Sequence, residues 1–90
     1  MSAPIVVEVF SSPGCAKCAH ARSMLRAIAA ELGVNRVSWR EVDILVETER
    51  ALEVGVLSAP AIAIDGELVF PSLPRPDRLR AELARRLEAR

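Results

Sequence analysis

Ninety residues, 51% of them hydrophobic, are enough for one compact core, so a single domain over residues 1–90 is expected. Twelve basic and twelve acidic residues cancel, which excludes an overall field drawing the molecule to nucleic acid or an anionic membrane. The opening MSAPIVVEVF has no basic region and too short an apolar run for a signal peptide, and no segment approaches the ~20 apolar residues of a membrane span, so the cytoplasm is the expected compartment.

Residues 4–10, PIVVEVF, are β-branched and aromatic and predict a buried strand ending at Ser11-Ser12-Pro13-Gly14. From Cys15 to Leu32 the period changes: Ala21, Leu25, Ile28 and Leu32 share one helical face, and Gly33 suits a left-handed stop. Residues 36–44, RVSWREVDI, alternate as a second strand, with Val37 and Trp39 on one face and Val42 and Ile44 on the other. A short helix over Glu47–Leu52 is expected to stop at Gly55. Asp65-Gly66 between AIAI and ELVF predicts a type I′ hairpin pairing residues 61–64 with 67–70. Leu79, Leu83 and Leu87 then mark a closing amphipathic helix. The order βαβαββα implies an α/β fold: a four-stranded mixed sheet with helices on both faces, the first two strands parallel through a right-handed crossover.

Both cysteines lie in Cys15-Ala-Lys-Cys18, at the carboxyl end of the first strand, where such sheets place their sites. Three-residue separation in a first helical turn allows a disulfide to open and close without moving the backbone. Cys15 follows Pro-Gly, so its sulfur is expected to face the free N–H groups of the helix start, which favour a thiolate. Lys17 adds positive charge, and no acidic side chain occurs between Phe10 and Ala30. Cys15 is thus the expected nucleophile, and Cys18, one turn on and more buried, the resolving thiol. In a reducing compartment such a pair is redox-active or metal-binding rather than a structural staple. The competing possibility is a metal-handling module carrying Cu(I) or Zn²⁺ on the two sulfurs. Zinc prefers four ligands, however, and the one histidine, His20, points about 200° around the helix from Cys18.

These residues resemble the small thioredoxin-like and glutaredoxin-like proteins of prokaryotes. The resemblance covers nearly the whole chain and rests on Ser12-Pro13-Gly14-Cys15-Ala16-Lys17-Cys18, on Gly55-Val-Leu-Ser58-Ala59-Pro60-Ala, and on the Asp65-Gly66 hairpin followed by a terminal helix. It implies a thioredoxin-like fold and a thiol–disulfide oxidoreductase acting on protein or small-molecule disulfides. It implies a cis peptide before Pro60, with Ser12, Pro13, Gly14, Ala16, Lys17, Ser58, Ala59 and Pro60 contacting substrate. Electrons would come from a thioredoxin-reductase-like donor or a low-molecular-weight thiol, with no cofactor beyond the two sulfurs.

The chain departs from thioredoxins proper in carrying Gly14 for a tryptophan, Ala-Lys between the cysteines, and Val9 near the position of their buried carboxylate, with Glu8 on the opposite face. It has Pro71-Ser-Leu-Pro74 where glutaredoxins place a glycine turn for glutathione. Trp39 and Met24 are expected in or beside the core and His20 in solvent. The arginines of the last helix are expected to pair on the surface, Glu82 with Arg78 and Arg86, rather than to bind nucleic acid. A monomer is expected, with ELVF as an open edge for any pairing of copies.

Overall fold

The computed structural model describes residues 3–90. Seven elements follow the expected order: β1 (Ile5–Ser11), α1 (Ala16–Leu32), β2 (Val37–Asp43), α2 (Thr48–Val54), β3 (Ala61–Ile64), β4 (Glu67–Phe70) and α3 (Pro76–Glu88). The sheet runs β2-β1-β3-β4, with β2 parallel to β1 and both hairpin strands antiparallel to their neighbours. β1 is therefore central, which is why nearly every position of this apolar run is buried.

Strand alternation divides the core into two layers. Ile5, Val7, Val9, Val37, Ile62 and Ile64 meet Ala21, Leu25 and Ile28 of α1 and Leu79 and Leu83 of α3. On the opposite face Phe10, Val42, Ala61 and Ala63 meet Ala51 of α2, with Ile44 and Val54 at the margin. Met24 is core filler at 7% exposure, and Trp39 is half-buried with the Arg26 guanidinium 5.9 Å from its ring centre.

Element ends deviate by a residue or two, where helices and strands fray. α1 begins at Ala16 because Cys15 is its extended N-cap, and α2 runs to Val54, where Gly55 takes a left-handed conformation. Gly33 ends α1 with φ 118° and ψ 119°, outside the expected left-handed helical region, and its N–H still bonds to the Ala29 carbonyl. Glu82 pairs with Arg85 and Arg86 rather than Arg78, and Arg86 continues to Glu67, tying α3 to the edge strand β4.

The hairpin turn has positive φ at both central residues, 50° at Asp65 and 83° at Gly66. The Asp65 carboxylate also accepts the Val6 N–H at 2.9 Å, anchoring the turn to β1. Gly66→Ala places a Cβ in a region that costs L-residues about 1 kcal/mol, and a urea titration should report a loss of that size. An unchanged midpoint would show that the turn relaxes freely.

Candidate functional site

β1 delivers the chain to the sheet's carboxyl edge, and Ser12-Pro13-Gly14, with φ 72° at Gly14, turns it into α1. Cys15 caps that helix with its own side chain: the Cys18 N–H donates to Cys15 Sγ at 3.1 Å. This sulfur thus occupies the place of the oxygen in an ordinary serine or aspartate cap. Cys15 and Cys18 form a disulfide with Cα atoms 5.2 Å apart. Cys15 is partly exposed, whereas Cys18 is fully buried, at 0%. The first turn of α1 contains no acidic residue.

A cleft of about 600 Å³ opens beside Cys15. Ser12, Pro13, Gly14 and Ala16 share its walls with Cys15, as expected for residues flanking the sulfur. Lys17 is exposed and outside those walls. Ser58, Ala59 and Pro60 are also outside them, on the segment between α2 and β3, where the Ala59–Pro60 peptide is cis and Pro60 is buried.

The remaining walls, Ser11, Arg22, Glu41, Asp43, Val46 and Glu47, were not legible near the motif. Ser11 Oγ and Arg22 both donate to Glu41 Oε2. Asp43 Oδ1 accepts the Leu45 N–H at 2.8 Å, and Glu47 is held by Arg40. The stretch between Phe10 and Ala30 is free of acidic side chains, as its sequence shows, but the fold brings carboxylates to it from β2 and the loop after it. The parallel register sets Val9 beside Glu41 and Ser11 beside Asp43. A signal existed in the alternation of β2, since strands pairing in parallel bring their carboxyl ends together.

Glu8 points away from α1, as its position in the strand requires, and is only 3% exposed. Arg50 donates to both its oxygens, at 2.9 and 2.7 Å, and Arg40 adds a third bond at 3.0 Å. The hydrogen bond from Arg50 outweighs burial and holds the Glu8 carboxyl below its ordinary range. Val9 is fully buried in the α1 layer. Among the described residues, no group of three or more His, Cys, Asp or Glu is placed to hold a metal ion, and Cys15 and Cys18 are joined to each other in a disulfide.

The family model described as "Thioredoxin domain" matches residues 5–83. A protein named "Probable Thioredoxin" from Methanothermobacter thermautotrophicus is 36% identical over 73 residues, covering 81% of this chain and 85% of the relative. A thioredoxin of Methanocaldococcus jannaschii is 26% identical over 83 residues, covering 92% and 96%. Among solved structures, a thioredoxin mutant from Halobacterium salinarum superposes with TM-score 0.78 at 20% identity, over 92% of this chain and 74% of that one. Thioredoxin 1 of Thermosipho africanus superposes with TM-score 0.77 at 16% identity, over 93% and 96%. At such identities the structural likenesses establish the fold alone.

Proposed function

The chain belongs to the thioredoxin family and is a thiol–disulfide oxidoreductase whose redox group is the Cys15–Cys18 disulfide; from that premise, we propose that Cys15 is the attacking sulfur and Cys18 the resolving one. The observation that carries this assignment is the bond from the Cys18 N–H to Cys15 Sγ, on the accessible member of a pair whose other member is buried. An N–H aimed at a sulfur stabilises its anion, and the thiolate is the nucleophile.

In the reducing direction, the Cys15 thiolate attacks one sulfur of a substrate disulfide. The substrate S–S bond breaks, a Cys15–substrate mixed disulfide forms, and the second substrate sulfur leaves as a thiolate that takes up a proton. Cys18 then loses its proton and attacks Cys15 Sγ, closing the internal disulfide and releasing the first substrate sulfur. The substrate has gained two electrons, and its two sulfurs, both released as thiolates, take up from solvent the two protons that Cys15 gave up on ionising and Cys18 gave up on attacking.

Ser12, Pro13, Gly14, Ala16 and Lys17 would border the substrate from the α1 side, and Ser58, Ala59 and Pro60 would offer backbone from the other. The buried cis-Pro60 supports that role, because it has no N–H to compete for an extended peptide. Thioredoxins act on disulfides and are regenerated by a reductase; here the donor would be a flavoprotein of thioredoxin-reductase type or a low-molecular-weight thiol. Residues 1–90 would work as one monomeric domain in the cytoplasm, with Met1 and Ser2 outside the described residues. Among those residues, no helix is long and apolar enough to cross a membrane.

Titrating the protein in thiol/disulfide buffers, with free thiols trapped by alkylation and counted by mass, should give one reversible two-electron transition between about −180 and −270 mV. Failure of the two thiols to pair under oxidising buffer would overturn the assignment.

A further inference from the structure

The walls of the cleft beside Cys15 carry three carboxylates, Glu41, Asp43 and Glu47, against one guanidinium, Arg22. Arg22 is occupied by Glu41, which also receives Ser11 Oγ, and Arg40 reaches Glu47 from outside the walls while also binding Glu8. Asp43 differs from the other two. Its hydrogen bond is to the Leu45 backbone N–H, and among the described residues it makes no ion pair. Asp43 is the β1-register partner of Ser11, so its charge stands at the sheet edge from which the chain turns to Cys15. Lys17, the one lysine of the sequence, is exposed and lies outside the walls of the cleft.

We propose that this cleft selects disulfides flanked by lysine or arginine, with Asp43 as the main specificity-determining residue, in peptide or protein substrates attacked at Cys15. The proposal rests on the assignment of Cys15 as the attacking sulfur. A substrate cysteine seated at Cys15 places the side chain one or two residues away over the adjoining walls, where a cation meets an uncompensated carboxylate and an anion meets like charge. Such complementarity acts chiefly on encounter and orientation, so it should appear in kcat/KM and weaken with salt.

The test uses the reduced 90-residue protein and three disulfide-bonded peptides identical except for Lys, Gln or Glu beside the cysteines. At low ionic strength the second-order rate constant for single-turnover reduction, the equivalent of kcat/KM, should rank Lys above Gln above Glu, with a Lys-to-Glu ratio of about tenfold that collapses toward one in ~1 M salt. Asp43→Asn keeps an oxygen for the Leu45 N–H and removes the charge, and should cut the ratio to about threefold. Taking a ratio within one protein cancels any change in Cys15 reactivity, and a melting curve checks that the variant is folded. Glu88→Gln, at the far end of α3, makes the same change in net charge and should leave the ratio untouched. Equal rates on all three peptides, or a ratio that Asp43→Asn does not move, would overturn the proposal while leaving the oxidoreductase assignment standing. Failure to reduce even the Gln peptide would instead overturn the Cys15 assignment, and this inference with it.

Discussion

Cys18→Ser is expected to trap substrate: with one equivalent of a disulfide peptide, mass spectrometry should find a stable adduct on Cys15, while catalytic turnover falls to the background of uncatalysed thiol exchange. The cause is the division of labour proposed for the two sulfurs. Cys15 is partly exposed and receives an N–H, so it can attack, whereas only a sulfur at the place of Cys18, one turn deeper, can cleave the resulting mixed disulfide from within. Cys15→Ser should give neither adduct nor turnover, because Cys18 is fully buried and cannot reach a substrate disulfide. Both variants should fold, since a disulfide closing so short a loop restricts the unfolded chain little. An adduct on Cys18 in Cys15→Ser would reverse the roles assigned here.

The second large effect concerns stability. Glu8→Gln should destabilise the protein by about 2 kcal/mol in denaturant titrations at pH 7, less than the ~3–5 kcal/mol for breaking a fully buried ion pair, because solvent screens the exposed parts of both arginines. Its carboxylate is 3% exposed but its partners are not buried to that degree, with Arg50 at 33% and Arg40 at 49%. The sign of the pH dependence follows from the direction of the shift. Hydrogen bonding from Arg50 first, and the charges of both arginines, lower the folded-state pKa of Glu8 from 4.5. Its stabilisation is therefore complete above the unfolded value and is lost as the pH falls through the lower, folded one. Glu82, also lowered by its bonds from Arg85 and Arg86, adds a smaller contribution of the same sign. Wild-type stability should fall progressively as the pH drops below the ordinary carboxyl value of 4.5, and Glu8→Gln should flatten most of that slope. A variant with the full acid slope would place the titrating group elsewhere.

What could be read from the sequence alone was whatever depends on near neighbours in the chain. The helical period of Ala21, Leu25 and Ile28 and the alternation of Val37, Trp39 and Val42 placed those residues in their correct layers. Asp65-Gly66 formed the expected turn because positive φ is a demand on those two residues alone. The disulfide and the sulfur-capped helix start were likewise contained in seven residues, Ser12 to Cys18. The cis peptide before Pro60 was available only through the family resemblance, since most X–Pro bonds are trans.

Tertiary structure decided the electrostatics. The side of the sheet that Glu8 faces was legible from alternation, but not that Arg50, 42 residues away, would satisfy it there. The motif itself lacks carboxylates, yet the cleft beside it has three because β2 pairs with β1 in a register that sets Asp43 level with Ser11. Backbone conformation is set by contacts within a few residues, so it leaves a local trace. Charge acts through space, and its partners are known only once the strands have been paired.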